Sequence, residues 1–138
     1  LMASLERIDA TPAEPTAAIT DAEAEAMARA VVNLFARWAV REHDACILLG
    51  GVSPRTYARW KEGRIGRIPR DLKARLSNLM AIHKALRIIF ADPQRGYAWL
   101  RRPNAAFGGA SALDVMLNGD LTDLMRVRRY LDAERGVW

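Results

Sequence analysis

Histidine and cysteine are scarce: His43, His83 and Cys46 are the whole supply in 138 residues. A disulfide framework is excluded within one chain, and so is a structural zinc site, which needs about four Cys or His ligands. No uninterrupted apolar run approaches the ~20 residues that cross a bilayer, so no membrane partner is expected. There is no basic start leading into an apolar stretch and a small-residue cleavage site, and one cysteine suits a reducing compartment; both features predict a cytoplasmic protein. No glycine-rich loop runs into Lys and then Ser or Thr, and the acids form no compact ligand set, so neither a phosphate-bearing cofactor nor a metal is expected. His43, His83 and Cys46 fall in helical segments among apolar neighbours, which reads as packing rather than as a nucleophile with its base. No enzyme is expected.

What the chain does have is enough apolar material for a core, 51% hydrophobic against 27% charged residues, and a length that suits one domain or two very small ones. A large multi-domain enzyme is excluded. The net charge of +5 is unevenly placed. Residues 1–28 hold six acids and one base, whereas the 21 residues from Arg55 to Arg75 hold eight bases against Glu62 and Asp71 alone. Such density suits a polyanion, because each phosphate neutralised by Lys or Arg releases condensed counterions; the alternative is a solvated basic face.

Residues 1–20, with Pro12 and Pro15 and no apolar period, read as a disordered arm. From Asp21 onward the pattern is helical throughout. Met27, Val31, Leu34, Phe35 and Trp38 repeat at three- and four-residue spacing behind a Thr20 or Asp21 cap. A short helix over 41–49 stops at Gly50-Gly51, and Ser53-Pro54 opens another that runs to about Glu62. The longest amphipathic segment spans 71–90 and ends at Asp92-Pro93. Shorter helices follow over 93–100, 111–117 with a Ser111/Asp114 capping box, and 120–134. Nothing alternates as a strand would, and the chain is assigned as all-α.

Two short helices joined by a glycine turn, the second rich in arginine, have the layout of a helix-turn-helix DNA reader within residues 21–90. The small residue, three spacers and glycine of its first half are Cys46-Ile47-Leu48-Leu49-Gly50, and Gly51 makes the turn one residue longer than usual. At 100° per residue Tyr57 and Trp60 share the core side of the second helix, with Arg55 and Arg59 opposite. Arg55 and Arg59 are therefore the candidates for base edges, Ser53 and Thr56 for contacts at the helix start, and Lys61, Arg64 and Arg67 for backbone phosphate.

The run from Trp99 through Pro103-Asn104 and Phe107-Gly108-Gly109 to the helix led by Ser111, then the amphipathic stretch Leu121 to Leu131 and Gly136, resembles the toxin-binding domain of the Xre/MbcA/ParS antitoxins. Leu48-Leu49-Gly50, Thr56-Tyr57 and Arg59-Trp60-Lys61 resemble the Xre-type helix-turn-helix of the same proteins. The likeness covers residues 29–138; Ala112 stands where the family often has proline. It implies a small helical toxin-binding domain over 91–138, with contacts from Trp99, Arg101 and Asn104, and a partner toxin of the RES fold that depletes NAD. It further implies an antitoxin that blocks the toxin's NAD site and represses its own operon.

A toxin that binds an anionic dinucleotide needs cations near its site, and the last residues Glu134, Arg135, Gly136, Val137 and Trp138, with the terminal carboxylate, are placed to enter it. Operator DNA is the second expected partner, reached as a homodimer or a larger toxin–antitoxin complex, since paired recognition helices meet grooves about 34–36 Å apart. The rival reading is a stand-alone regulator whose C-terminal helices only dimerise. A third is an interaction protein whose basic patch faces an acidic partner.

Overall fold

The computed structural model describes residues 18–136, so most of the expected arm over 1–20 lies outside the described residues. Among those described, seven α-helices and one 3-10 turn follow one another with no strand. The helices are α1 (Asp21–Arg37), α2 (Glu42–Leu48), α3 (Pro54–Lys61), α4 (Arg70–Ile89), α5 (Pro93–Arg101), α6 (Ala112–Met116) and α7 (Leu121–Glu134). The 3-10 turn is Ala105–Phe107.

Local chemistry sets most of the boundaries. Thr20 accepts from the Glu23 amide at 3.1 Å while the Glu23 carboxylate accepts from the Thr20 amide at 3.1 Å, a capping box that starts α1. The same exchange between Ser111 and Asp114 starts α6, as their spacing predicts. Ser53 accepts from the Thr56 amide at 3.0 Å and Pro54 occupies the first turn of α3, an arrangement in which the cap is worth about 1 kcal/mol. Gly50 and Gly51 take φ of +84° and +92°, conformations that glycine adopts without a Cβ penalty, and they turn the chain between α2 and α3.

Packing is organised by α4. Its Leu72, Leu76, Leu79, Ile82 and Leu86 are buried, and the helix lies against α1 at one side and α7 at another. One hydrophobic core runs from Ala24 and Val31 of α1, through α4, to Val127 and Leu131 of α7. Gly96 of α5 comes so close to α4 that an added Cβ would lie 3.4 Å from the Leu86 Cβ. The two halves of the chain are also tied by Arg101, whose Nη2 donates to the carbonyls of Trp38 (2.9 Å) and Ala39 (2.8 Å). Ala39 itself has φ of +55°, so the arginine braces a strained corner between α1 and α2.

Candidate functional site

The helix-turn-helix is α2, the Gly50-Gly51 turn and α3. Tyr57 and Trp60 are buried, with the Tyr57 ring centroid 6.4 Å from that of Phe35 on α1. Val52, half-buried, packs against the core below the turn. This fixes the rotation of α3 and leaves Arg55 and Arg59 exposed. At the start of the helix the Ser53 hydroxyl donates to the Thr56 hydroxyl oxygen at 3.0 Å, which leaves the Thr56 proton available to an outside acceptor.

A cleft of about 510 Å³ runs along α3 and the loop after it, lined by Thr56, Arg59, Trp60, Arg64 and Arg67. Four of the seven DNA-contact candidates thus meet at one place. Ser53 and Arg55 lie outside its lining, as does Lys61, which remains exposed. Its ammonium lies 3.6 Å from the Glu42 carboxylate and 5.4 Å from the Tyr57 ring centroid. Arg64 is ion-paired with Glu62. Arg29 of α1 donates to the Gly63 carbonyl at 3.3 Å and so steadies the loop that carries Arg64 and Arg67.

Arg75 supports this motif from behind, and nothing in the sequence singles it out from the other arginines of the basic run. It is 7% exposed, with Nε donating to Asp71 at 3.1 Å. Its guanidinium lies under the turn, where a Cβ on Gly50 would be 2.6 Å from Nε.

The other candidate surface is built on α5, α7 and the loop between α5 and α6. Trp99 stacks on Tyr130 with centroids 5.9 Å apart and planes 12° from parallel, and Phe107 closes the group edge-on to both rings. The Arg126 guanidinium lies over Phe107 at 5.3 Å. Trp99 and Tyr130 remain half-exposed, so they form an aromatic patch edged by a cation. Tyr130 and Arg126 escape sequence reasoning because only the fold brings α7, which begins more than twenty residues beyond Trp99, to the Trp99 and Phe107 rings.

Asn104 shapes the neighbouring loop: its Oδ1 accepts from the Ala106 amide at 2.9 Å, and its carbonyl accepts from the amides of Phe107 and Gly109, each at 3.0 Å. Arg101 faces the α1 corner described above. Glu134 ends α7 exposed, Arg135 lies 3.8 Å from Asp132, and Gly136 turns the chain with φ of +76°. Val137 and Trp138 lie outside the described residues.

The titratable groups assemble no reactive centre among the described residues. Burial pushes the Cys46 thiol up, reinforced by Glu42, away from the reactive thiolate. Burial pushes His83 down, reinforced by Arg87 and Arg37. His43 is exposed, and no cluster of three or more metal-binding side chains exists among the described residues. No described helix is long and apolar enough to cross a membrane.

Two family models match the chain. Residues 17–81 match the antitoxin Xre-like helix-turn-helix domain, and residues 85–136 match the antitoxin Xre/MbcA/ParS C-terminal toxin-binding domain. The seam between the matches falls within α4, the helix that packs on both α1 and α7. The chain is also similar to "Uncharacterized protein y4oB" of Sinorhizobium fredii (strain NBRC 101917 / NGR234), at 48% identity over 100 residues. That alignment covers 72% of this chain and 77% of the relative.

Proposed function

The chain belongs to the Xre/MbcA/ParS antitoxins, and on that premise we propose that it neutralises a RES-type, NAD-depleting toxin by blocking its active site and represses its own operon. An antitoxin with a helix-turn-helix and a toxin-binding domain has DNA and a toxin as partners, and it is not an enzyme. The observation that supports two separate partners is the pairing of a cleft lined by arginines along α3 with a second, aromatic surface in the half that matches a toxin-binding domain; the RES identity of the toxin rests on the family resemblance.

On DNA, α3 enters the major groove with Arg55 and Arg59 toward base edges, where a guanidinium reads guanine through two parallel hydrogen bonds. Ser53 and Thr56 hold the start of the helix to the backbone, and Lys61, Arg64 and Arg67 neutralise flanking phosphates. Two copies, alone or within a toxin complex, present two such helices to adjacent grooves in the cytoplasm. On the toxin, Trp99 anchors the contact with Arg101 and Asn104 beside it. The tail from Glu134 through Arg135, Gly136 and Val137 to Trp138 enters the dinucleotide site and offers carboxylates to its cations.

Polarisation titrations against the operator test the DNA half. Arg59→Ala is expected to weaken specific binding by about 1–3 kcal/mol and to relax sequence preference. Arg67→Ala is expected to weaken all sequences alike and to lower the salt slope by about 1. Operator affinity unchanged by Arg59→Ala would remove α3 as the reading helix.

A further inference from the structure

Beside the DNA-facing cleft lies a groove of about 680 Å³ between the start of α1 and the start of α4. Its floor is apolar, formed by Ile19, Ile68, Pro69 and Ala74, and its rim carries Arg67 and Arg70. The volume falls within the range of about 300–1,000 Å³ typical of clefts that hold a ligand. Arg67 and Pro69 line both this groove and the cleft along α3, so the two adjoin at these residues.

We propose that residues 5–14 of the chain's own N-terminal arm occupy this groove and compete with DNA for the basic patch. Chain continuity places the arm there: Ala18 and Ile19 form one wall, and Lys73 pins that wall by donating to the Ile19 carbonyl at 3.3 Å and to Asp21 at 3.0 Å. Residues 5–14 precede Ala18 by 4 to 13 positions. At no more than about 3.6 Å per residue they can extend along the groove without a long tether.

Composition favours the same occupant. The arm offers Leu5 and Ile8 to an apolar floor, and to a cationic rim it offers Glu6, Asp9 and Glu14 against the single base Arg7. The Asp21 carboxylate in the same wall is already paired with Lys73 at 3.0 Å, which leaves Arg67 and Arg70 as the cations open to the arm. An arm seated here reaches Arg67 and so draws a cation away from the DNA cleft. The docking stands on the groove and the arm alone; the competition rests on the DNA-binding reading.

The test uses the full-length chain with a nitroxide spin label at Ser4→Cys in a Cys46→Ala background, read by amide NMR without DNA. The expected result is loss of the Ile68, Arg70 and Lys73 amide signals, recovered on reduction of the label and on addition of a non-specific duplex. In unlabelled protein, replacing Glu6, Asp9 and Glu14 by their amides is expected to tighten binding to that duplex about fivefold at low salt, an effect that shrinks as salt rises.

Groove amides untouched by the label would overturn the docking whatever the DNA results. If Arg70→Glu then still weakened duplex binding, the groove would be a track for the DNA backbone. Broadening that persists when the duplex saturates the protein would overturn the competition.

Discussion

Ending the chain after Leu131 is expected to release the toxin while sparing DNA binding. Leu131 is 1% exposed and is the last residue of the core, so the cut removes no buried apolar side chain among the described residues. What it does remove from the fold is Asp132, which lies 3.7 Å from Arg128 and 3.8 Å from Arg135. These partly exposed pairs are each worth about 0–1 kcal/mol, so the shortened protein keeps its melting transition within a few degrees. The whole of Glu134 to Trp138 is lost with the cut, and with it the segment assigned to the toxin's site. Growth of cells expressing toxin with full-length or shortened antitoxin measures the effect. Full protection by the shortened form would rule out the tail as the inhibitory element and leave inhibition to the Trp99–Tyr130 patch.

The second large effect is expected at the turn. Gly50→Val places a branched side chain at φ of +84°, and even its Cβ would meet Arg75 at 2.6 Å from Nε and 2.9 Å from Cζ. Arg75 has little room to yield, being 7% exposed and held by Asp71. Backbone strain and overpacking together amount to a loss of about 2–5 kcal/mol in unfolding free energy. Because the turn sets the approach of α3, operator affinity is expected to fall with it. Gly51 isolates the causes: its φ is +92° but nothing lies within 4 Å of its Cβ position, so Gly51→Ala incurs the backbone strain alone. Denaturant titration of both variants, and of Gly50→Ala combined with Arg75→Met, separates steric from conformational cost. Equal losses at Gly50 and Gly51 would remove Arg75 from the explanation.

Periodicity and capping carried most of the helical plan. The spacing of Val31, Leu34 and Phe35, the Ser111/Asp114 box and the Ser53-Pro54 start each act over a few residues, which is why they can be read along the chain. The inward turn of Tyr57 and Trp60 follows from helical geometry in the same way. The 3-10 turn at Ala105–Phe107 carries no such period; it forms because Asn104 gathers the amides around it.

Long-range pairings leave still less trace. Arg101 resembles any other surface arginine until α5 brings it to the carbonyls of Trp38 and Ala39, more than sixty residues earlier. Arg75 sits in a basic run whose other members are exposed or, like Lys73, only half-buried, and it alone is buried, where the Gly50 turn approaches it. Trp99 is visible as an anchor in the sequence, but its stacking partner Tyr130, more than thirty residues on, depends on where the fold places α7. Lys61 shows the same dependence: its neighbours, the Glu42 carboxylate on α2 and the Tyr57 ring, follow from the packing of α2 on α3 and not from charge along the chain.

The central claim is that the chain works as the inhibitor of a dedicated toxin. It is tested most directly by purifying the tagged protein from its host in moderate salt and identifying stoichiometric partners by mass spectrometry. A RES-type protein recovered in fixed ratio is the predicted result. Recovery of the bait with DNA alone would contradict the claim and leave a stand-alone regulator.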